Sequence, residues 1–174
     1  MSQFSTTINF FLPKELIASF KKIKVPNGML FDWRKTSFLH CTVKAIALTN
    51  IMPTSEDLQY WSEQSRSVLQ NKKPFSIQVQ WVWIFPNTLF SFIHSKELWE
   101  IHNQLCAILP SSQPQFEKEN FVPHVSIWVI DKNIGFALEK NQNFWDFKVT
   151  EMQLVVWDLS KLNSPVIYDT FSLL

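Results

Sequence analysis

Two short segments of this chain repeat one pattern. His40-Cys41-Thr42-Val43 and His124-Val125-Ser126-Ile127 each run histidine, small or apolar residue, hydroxyl residue, aliphatic residue. In a strand, residues two apart share a face. His40 and Thr42 therefore share one face of their strand, and His124 and Ser126 share one face of theirs. Cys41, Val43, Val125 and Ile127 point behind, into a core. One such tetrapeptide is commonplace and reads as a satisfied histidine at a strand edge. Two copies nearly half the chain apart, each on an apolar strand after a helix and a loop, are more specific. If the strands lie together, two imidazoles and two hydroxyls converge on one cleft.

That set suits phosphoester cleavage by acid–base catalysis. An imidazole with an unperturbed pKa near ~6.5 serves as base or acid at neutral pH. One ring takes a proton from water or a ribose hydroxyl, and the other gives one to the departing oxygen. Thr42 and Ser126 can hold the non-bridging phosphate oxygens. No step requires a metal or a cofactor. The sequence does not fix which histidine is the base.

The elements that must position these residues follow from periodicity. Residues 8–12 read as a strand closed by Pro13, and 14–23 as an amphipathic helix on Leu16, Phe20 and Ile23. Residues 24–37 read as a loop and 38–48 as a strand. A helix from Pro53 to about Gln70 starts on Thr54 and Asp57, a capping-box spacing. Residues 75–85 alternate as a half-buried strand with 89–93 as its hairpin partner, and 96–109 form a third helix. Residues 110–120 are loop, 122–130 a strand and 134–140 a short helix. Residues 147–159 and 166–173 are two further strands. This order lacks a regular βαβα rhythm and gives an α+β fold with mainly antiparallel sheet. A helix, a loop and a strand opening on histidine occur twice, which points to an internal duplication.

The paired motifs, with Phe121-Val122-Pro123-His124-Val125-Ser126-Ile127 as the second, resemble the signature of the two-histidine (2H) phosphoesterase superfamily. That superfamily includes bacterial 2′-5′ RNA ligases and cyclic nucleotide phosphodiesterases. The resemblance implies one bilobal domain over 1–174, with two pseudo-symmetric lobes facing across a central cleft. It also implies metal-free chemistry on 2′,3′-cyclic phosphates or 2′-5′ linkages, with His40 and His124 catalytic and Thr42 and Ser126 binding phosphate. The alternatives are a hydrolase of cyclic oligonucleotide immune signals and a non-catalytic nucleotide- or RNA-binding module.

Further substrate contacts are expected beside the motifs. By alternation Lys44 and Trp128 face the same cleft, Lys44 to offset phosphate charge and Trp128 to stack on a base. A solvated strand-end lysine and a core tryptophan are the bland readings. Trp33 and Arg34, with Lys35, lie in the loop before His40 and suit a substrate lid, or an ordinary surface loop. His102 lies beside an apolar helical stripe and reads as structural. His94 has no partner motif, and the Trp81, Trp83 and Phe85 stripe reads as core.

Composition narrows the partners. The 174 residues are 46% hydrophobic and 18% charged, enough apolar surface for a core. Two glycines cannot build a phosphate-cradling loop, which excludes nucleotide folds of that kind. No His-Glu-x-x-His, paired Cys-x-x-Cys or Gly-x-Ser-x-Gly pattern occurs. A net charge of +1 favours a nucleotide or short RNA over a long duplex. No apolar run reaches membrane-spanning length, and the first residues do not read as an export signal. A monomeric, cytoplasmic protein with Cys41 and Cys106 reduced is expected.

Overall fold

The structure is a computed structural model that describes residues 3–20, 38–85, 88–129, 146–161 and 165–174. Of residues 19, 81–85, 88, 128 and 129 it describes the backbone alone. Strand β1 (Phe4–Phe11) starts earlier than its apolar run. Ser5-Thr6-Thr7 extends it because β1 is paired on both sides, with β2 (His40–Thr49) and with β7 (Glu151–Asp158). Helix α1 (Lys14–Phe20) buries Leu16, Ile17 and Phe20. Its expected last turn, the 24–37 loop with Trp33 and Arg34, and the 134–140 helix lie outside the described residues.

Helix α2 (Ser55–Leu69) opens on the expected capping box. The Asp57 amide donates to Thr54 Oγ1 at 3.1 Å, and the Thr54 amide donates back to Asp57 Oδ2 at 3.2 Å. Strands β3 (Phe75–Phe85) and β4 (Thr88–His94) form the expected hairpin, with Phe75, Ile77 and Val79 buried. Helix α3 (Lys96–Ile108) is capped by Ser95, whose Oγ accepts from the Leu98 amide at 3.3 Å. Two 3-10 turns follow at Pro114–Phe116 and Lys118–Asn120, before β5 (His124–Val129).

The segment read as one strand over 147–159 is two. Strand β6 (Asp146–Val149) pairs with β3, and after Thr150 the chain continues as β7 between β1 and β8 (Val166–Ser172). The apolar alternation changes phase at Thr150, from Phe147 and Val149 to Met152 and Leu154, but no Gly, Pro or Asn marks a turn there. The Thr150 carbonyl instead accepts from the Leu173 amide at 2.9 Å.

The eight strands among the described residues form one antiparallel sheet in the order β6-β3-β4-β5-β2-β1-β7-β8. The order is symmetric about the β5/β2 seam. β1–α1–β2 on one side matches β4–α3–β5 on the other, which is the expected duplication in three dimensions. Edge strand β6 runs within one residue into β7 of the other half, so the sheet curls back on itself. Phe10 of β1 and Phe147 of β6 meet inside the curl with ring centroids 6.3 Å apart. The core runs through both halves and includes Ile8, Phe10, Cys41, Val125 and Leu154. Each such large apolar side chain stabilises the fold by roughly 1.5–3 kcal/mol. No helix among the described residues is long and apolar enough to cross a membrane.

Candidate active site

The two motif strands meet at the seam. β2 and β5 run antiparallel with Cys41 paired to Val125, both fully buried. Continuing that register sets His40 opposite Ser126 and Thr42 opposite His124, all on the face away from the core. The two histidines are then diagonal neighbours, about 7–8 Å apart at the backbone. Their rings are anchored alike. His40 Nδ1 lies 2.8 Å from the Phe38 carbonyl oxygen, and His124 Nδ1 lies 2.7 Å from that of Val122. A carbonyl only accepts, so each Nδ1 carries the hydrogen and each Nε2 is left to exchange a proton.

His40 stands in an aromatic slot. Trp157 of β7 stacks on it at 4.5 Å and 27°, and Phe11 of β1 meets it edge-on at 6.0 Å. Burial lowers its pKa below the ordinary 6.5. The Phe38 carbonyl works the other way, and positive charge on His124 adds to the lowering. The Trp157 indole N–H donates to Thr7 Oγ1 at 3.1 Å. Asn9, fully buried, completes the floor. Its amide, oriented to satisfy both ends, donates to Thr42 Oγ1 and accepts from Trp157 Nε1, each at 3.2 Å. One polar chain thus links the hydroxyl beside His40 to the ring stacked on it. Replacing Trp157 with leucine lets water reach the imidazole, so the His40 pKa moves up toward 6.5. An NMR titration of the ring protons reads this, and an unmoved midpoint would refute the burial argument.

His124 and Ser126 are exposed and open onto a cavity of about 810 Å³ that Thr42 also lines. Phe90, edge-on to His124 at 5.6 Å, and Phe92 come from β4. The opposite wall is the 113–122 segment, with Gln113, Phe116, Asn120 and Phe121. The volume is that of a small-molecule site, mostly apolar with a few polar groups.

The chain matches no family model and no curated protein by sequence. Its backbone matches solved structures over nearly all its length. Against LigT of E. coli in complex with NADP+, the TM-score is 0.70 at 14% identity, covering 99% of each chain. Against TT0787 of Thermus thermophilus it is 0.72 at 16%, covering 97% of each. Against a crystal structure described as a phosphoesterase it is 0.73 at 14%, again covering 99% of each. The chain has the fold of LigT and of that phosphoesterase.

Within that fold, the expected neighbours of the motifs divide. Lys44 does not share the cleft face. A bulge at Val43 breaks the alternation: Thr42 stands opposite Asn9, but Lys44 stands opposite Ile8, a core residue. Its side chain is fully buried and bonded to Glu117, so its charge is already matched. Burial works against the Glu117 carboxylate, but the bonds from Lys44 and Ser111 outweigh it and hold its pKa below the ordinary value. The backbone of Trp128 pairs with Leu89, while its side chain, like Trp33 and Arg34, lies outside the described residues. His102 is buried, as expected of a structural histidine. Burial pushes the Cys41 thiol up to about 12 and the Cys106 thiol up to about 11, so neither is a nucleophile.

Four site residues escaped the sequence reading: Asn9, Trp157, Phe90 and Phe92. The signal for Asn9 was present, a lone amide between Ile8 and Phe10 in an apolar strand. Nothing local marks Trp157, whose role depends on β7 lying beside β1.

Proposed function

We propose that this chain is a phosphodiesterase acting on 2′,3′-cyclic phosphates or 2′-5′ linked nucleotides and short RNA. The observation that carries the reading is the pair of matched imidazoles. Each is held through Nδ1 by a carbonyl two residues earlier, and each has a hydroxyl two residues later, on one face across the β5/β2 seam. His40, whose burial favours the neutral ring, takes the proton from water as its oxygen bonds to phosphorus. His124 gives a proton to the ribose oxygen as its bond to phosphorus breaks. A cyclic phosphate thereby opens to a monoester, and the next exchange with solvent restores both rings. Thr42 and Ser126 hold the non-bridging oxygens, where charge grows in the transition state. LigT, which shares the fold, has been crystallised with phosphate, 3′-AMP and ATP, which supports a nucleotide as substrate. The cavity beyond Ser126 is large enough for a nucleoside.

The test is a panel of nucleoside 2′,3′-cyclic phosphates, 2′-5′ dinucleotides and cyclic di- and trinucleotides, with products separated by chromatography. The expected result is opening of the cyclic phosphates or cleavage of the 2′-5′ linkages, at a rate unchanged by EDTA, since the two histidines supply both proton transfers. Binding without turnover across the panel would overturn the enzymatic reading in favour of a nucleotide-binding module. Turnover confined to cyclic oligonucleotides would move the substrate to signalling molecules.

A further inference from the structure

His102 belongs to neither motif, yet it touches the approach to both. Its Nδ1 lies 2.7 Å from the carbonyl oxygen of Val43, the bulged residue next to Thr42. The Lys118 amide donates to its Nε2 at 3.1 Å. A carbonyl can only accept and an amide can only donate, so the ring is the neutral Nδ1–H tautomer with both nitrogens used. Its face lies flat on Phe121 at 3.7 Å and 3°. Phe121 directly precedes Val122, whose carbonyl anchors His124. Lys118 has a φ of 53°, in the left-handed region that a non-glycine residue occupies only where its surroundings hold it.

We infer that His102 is a positioning residue that clasps the 113–121 wall of the cavity to the strand carrying Thr42, and so governs how tightly the nucleoside part of the substrate is held. The inference rests on the proposed phosphodiesterase reading. Lys44 and Glu117 tie the same wall a second time, so losing the clasp loosens the wall without releasing it.

The clasp is sensitive to protonation. An added proton puts N–H on Nε2 facing the Lys118 N–H, and two donors cannot bond. The titratable groups around the ring are Lys44 from β2, Glu117 from the wall and Cys106 from α3, with Cys106 Sγ 3.4 Å from Nε2. Burial lowers the His102 pKa below 6.5. The Val43 carbonyl and Glu117 oppose this, and Lys44 adds to it. The clasp is therefore closed at neutral pH and opens as pH falls through the lowered value.

Two variants separate the clasp from mere packing. His102→Phe keeps the stack on Phe121 and removes both bonds. His102→Gln offers one donor and one acceptor and does not titrate. In His102→Phe the Lys118 amide is expected to lose about tenfold in hydrogen-exchange protection and KM to rise about tenfold, with kcat within about twofold. His102→Gln restores both and abolishes the wild-type rise in KM toward acid. Wild-type protection and KM in His102→Phe would overturn the inference, as would an acid rise in KM that persists in His102→Gln. If His102→Phe does not fold, the glutamine variant and the pH dependence of wild-type Lys118 protection decide. His40→Ala is assayed alongside. Undiminished turnover there would defeat the proposed chemistry, while Lys118 protection would still report on the clasp.

Discussion

Replacing His40 or His124 with alanine lowers kcat by about 10²–10⁴-fold, the usual contribution of a positioned acid or base. In the proposed chemistry each ring handles one of two coupled proton transfers, so the double variant falls little below the worse single one. The fold survives both changes. His124 is exposed at the first position of β5, and removing its ring leaves no internal void. His40 is half-buried against Trp157 and Phe11, and its loss costs about 1 kcal/mol, the ordinary size for a point substitution. Steady-state kinetics with circular dichroism checks both statements. A single variant retaining near-wild-type turnover would remove that histidine from the mechanism.

Glu117→Ala produces the largest loss of stability. Lys44 is fully buried, and Glu117 is its bonded counter-charge, with 13% of its own side chain exposed. Deleting the carboxylate strands an ammonium away from water, at about 3–5 kcal/mol. In a chain of this length that lowers the melting temperature by about 6–20 °C. Lys44→Met is milder, because the Glu117 carboxylate can recover water through its exposed edge. Removing both charges together is milder again. Urea denaturation of the three variants fixes the ranking, and a Glu117→Ala midpoint equal to that of Lys44→Met would refute it. The pH dependence has a definite sign. The Glu117 pKa is lowered in the folded state, so its contribution is complete above the ordinary 4.5 and is lost as pH falls through the lowered value.

The part of this architecture readable from sequence is the part that local periodicity governs. The alternation at Phe75, Ile77 and Val79, the Thr54 and Asp57 cap and the paired histidine strands all emerge as expected. Lys44 fails for a definable reason. Alternation assumes an unbroken pleat, and a single extra residue at Val43 turns Lys44 to the other side, until a second register shift between Ala45 and Ala47 follows. The split at Thr150 escapes for a related reason. A strand's sequence records that it is paired and buried, but not which strand it pairs with. Asn9 and Trp157 become site residues only once β1 and β7 lie side by side, which is a property of the whole sheet.

The placement of β7 governs when the histidine-lined groove can exist during synthesis. The half containing β3, β4, β5 and β6 is made from one uninterrupted stretch, 75–149, and can assemble as that stretch leaves the ribosome. The other half cannot. Its strand β1 comes before that stretch, yet one of its two flanking partners, β7, is translated more than a hundred residues after it. Until then β1 and β2 form a ribbon with an open flank, and the Trp157 indole has not arrived to cover His40. A nascent chain therefore holds its second histidine in a finished frame while the first waits for the ribosome to reach β7.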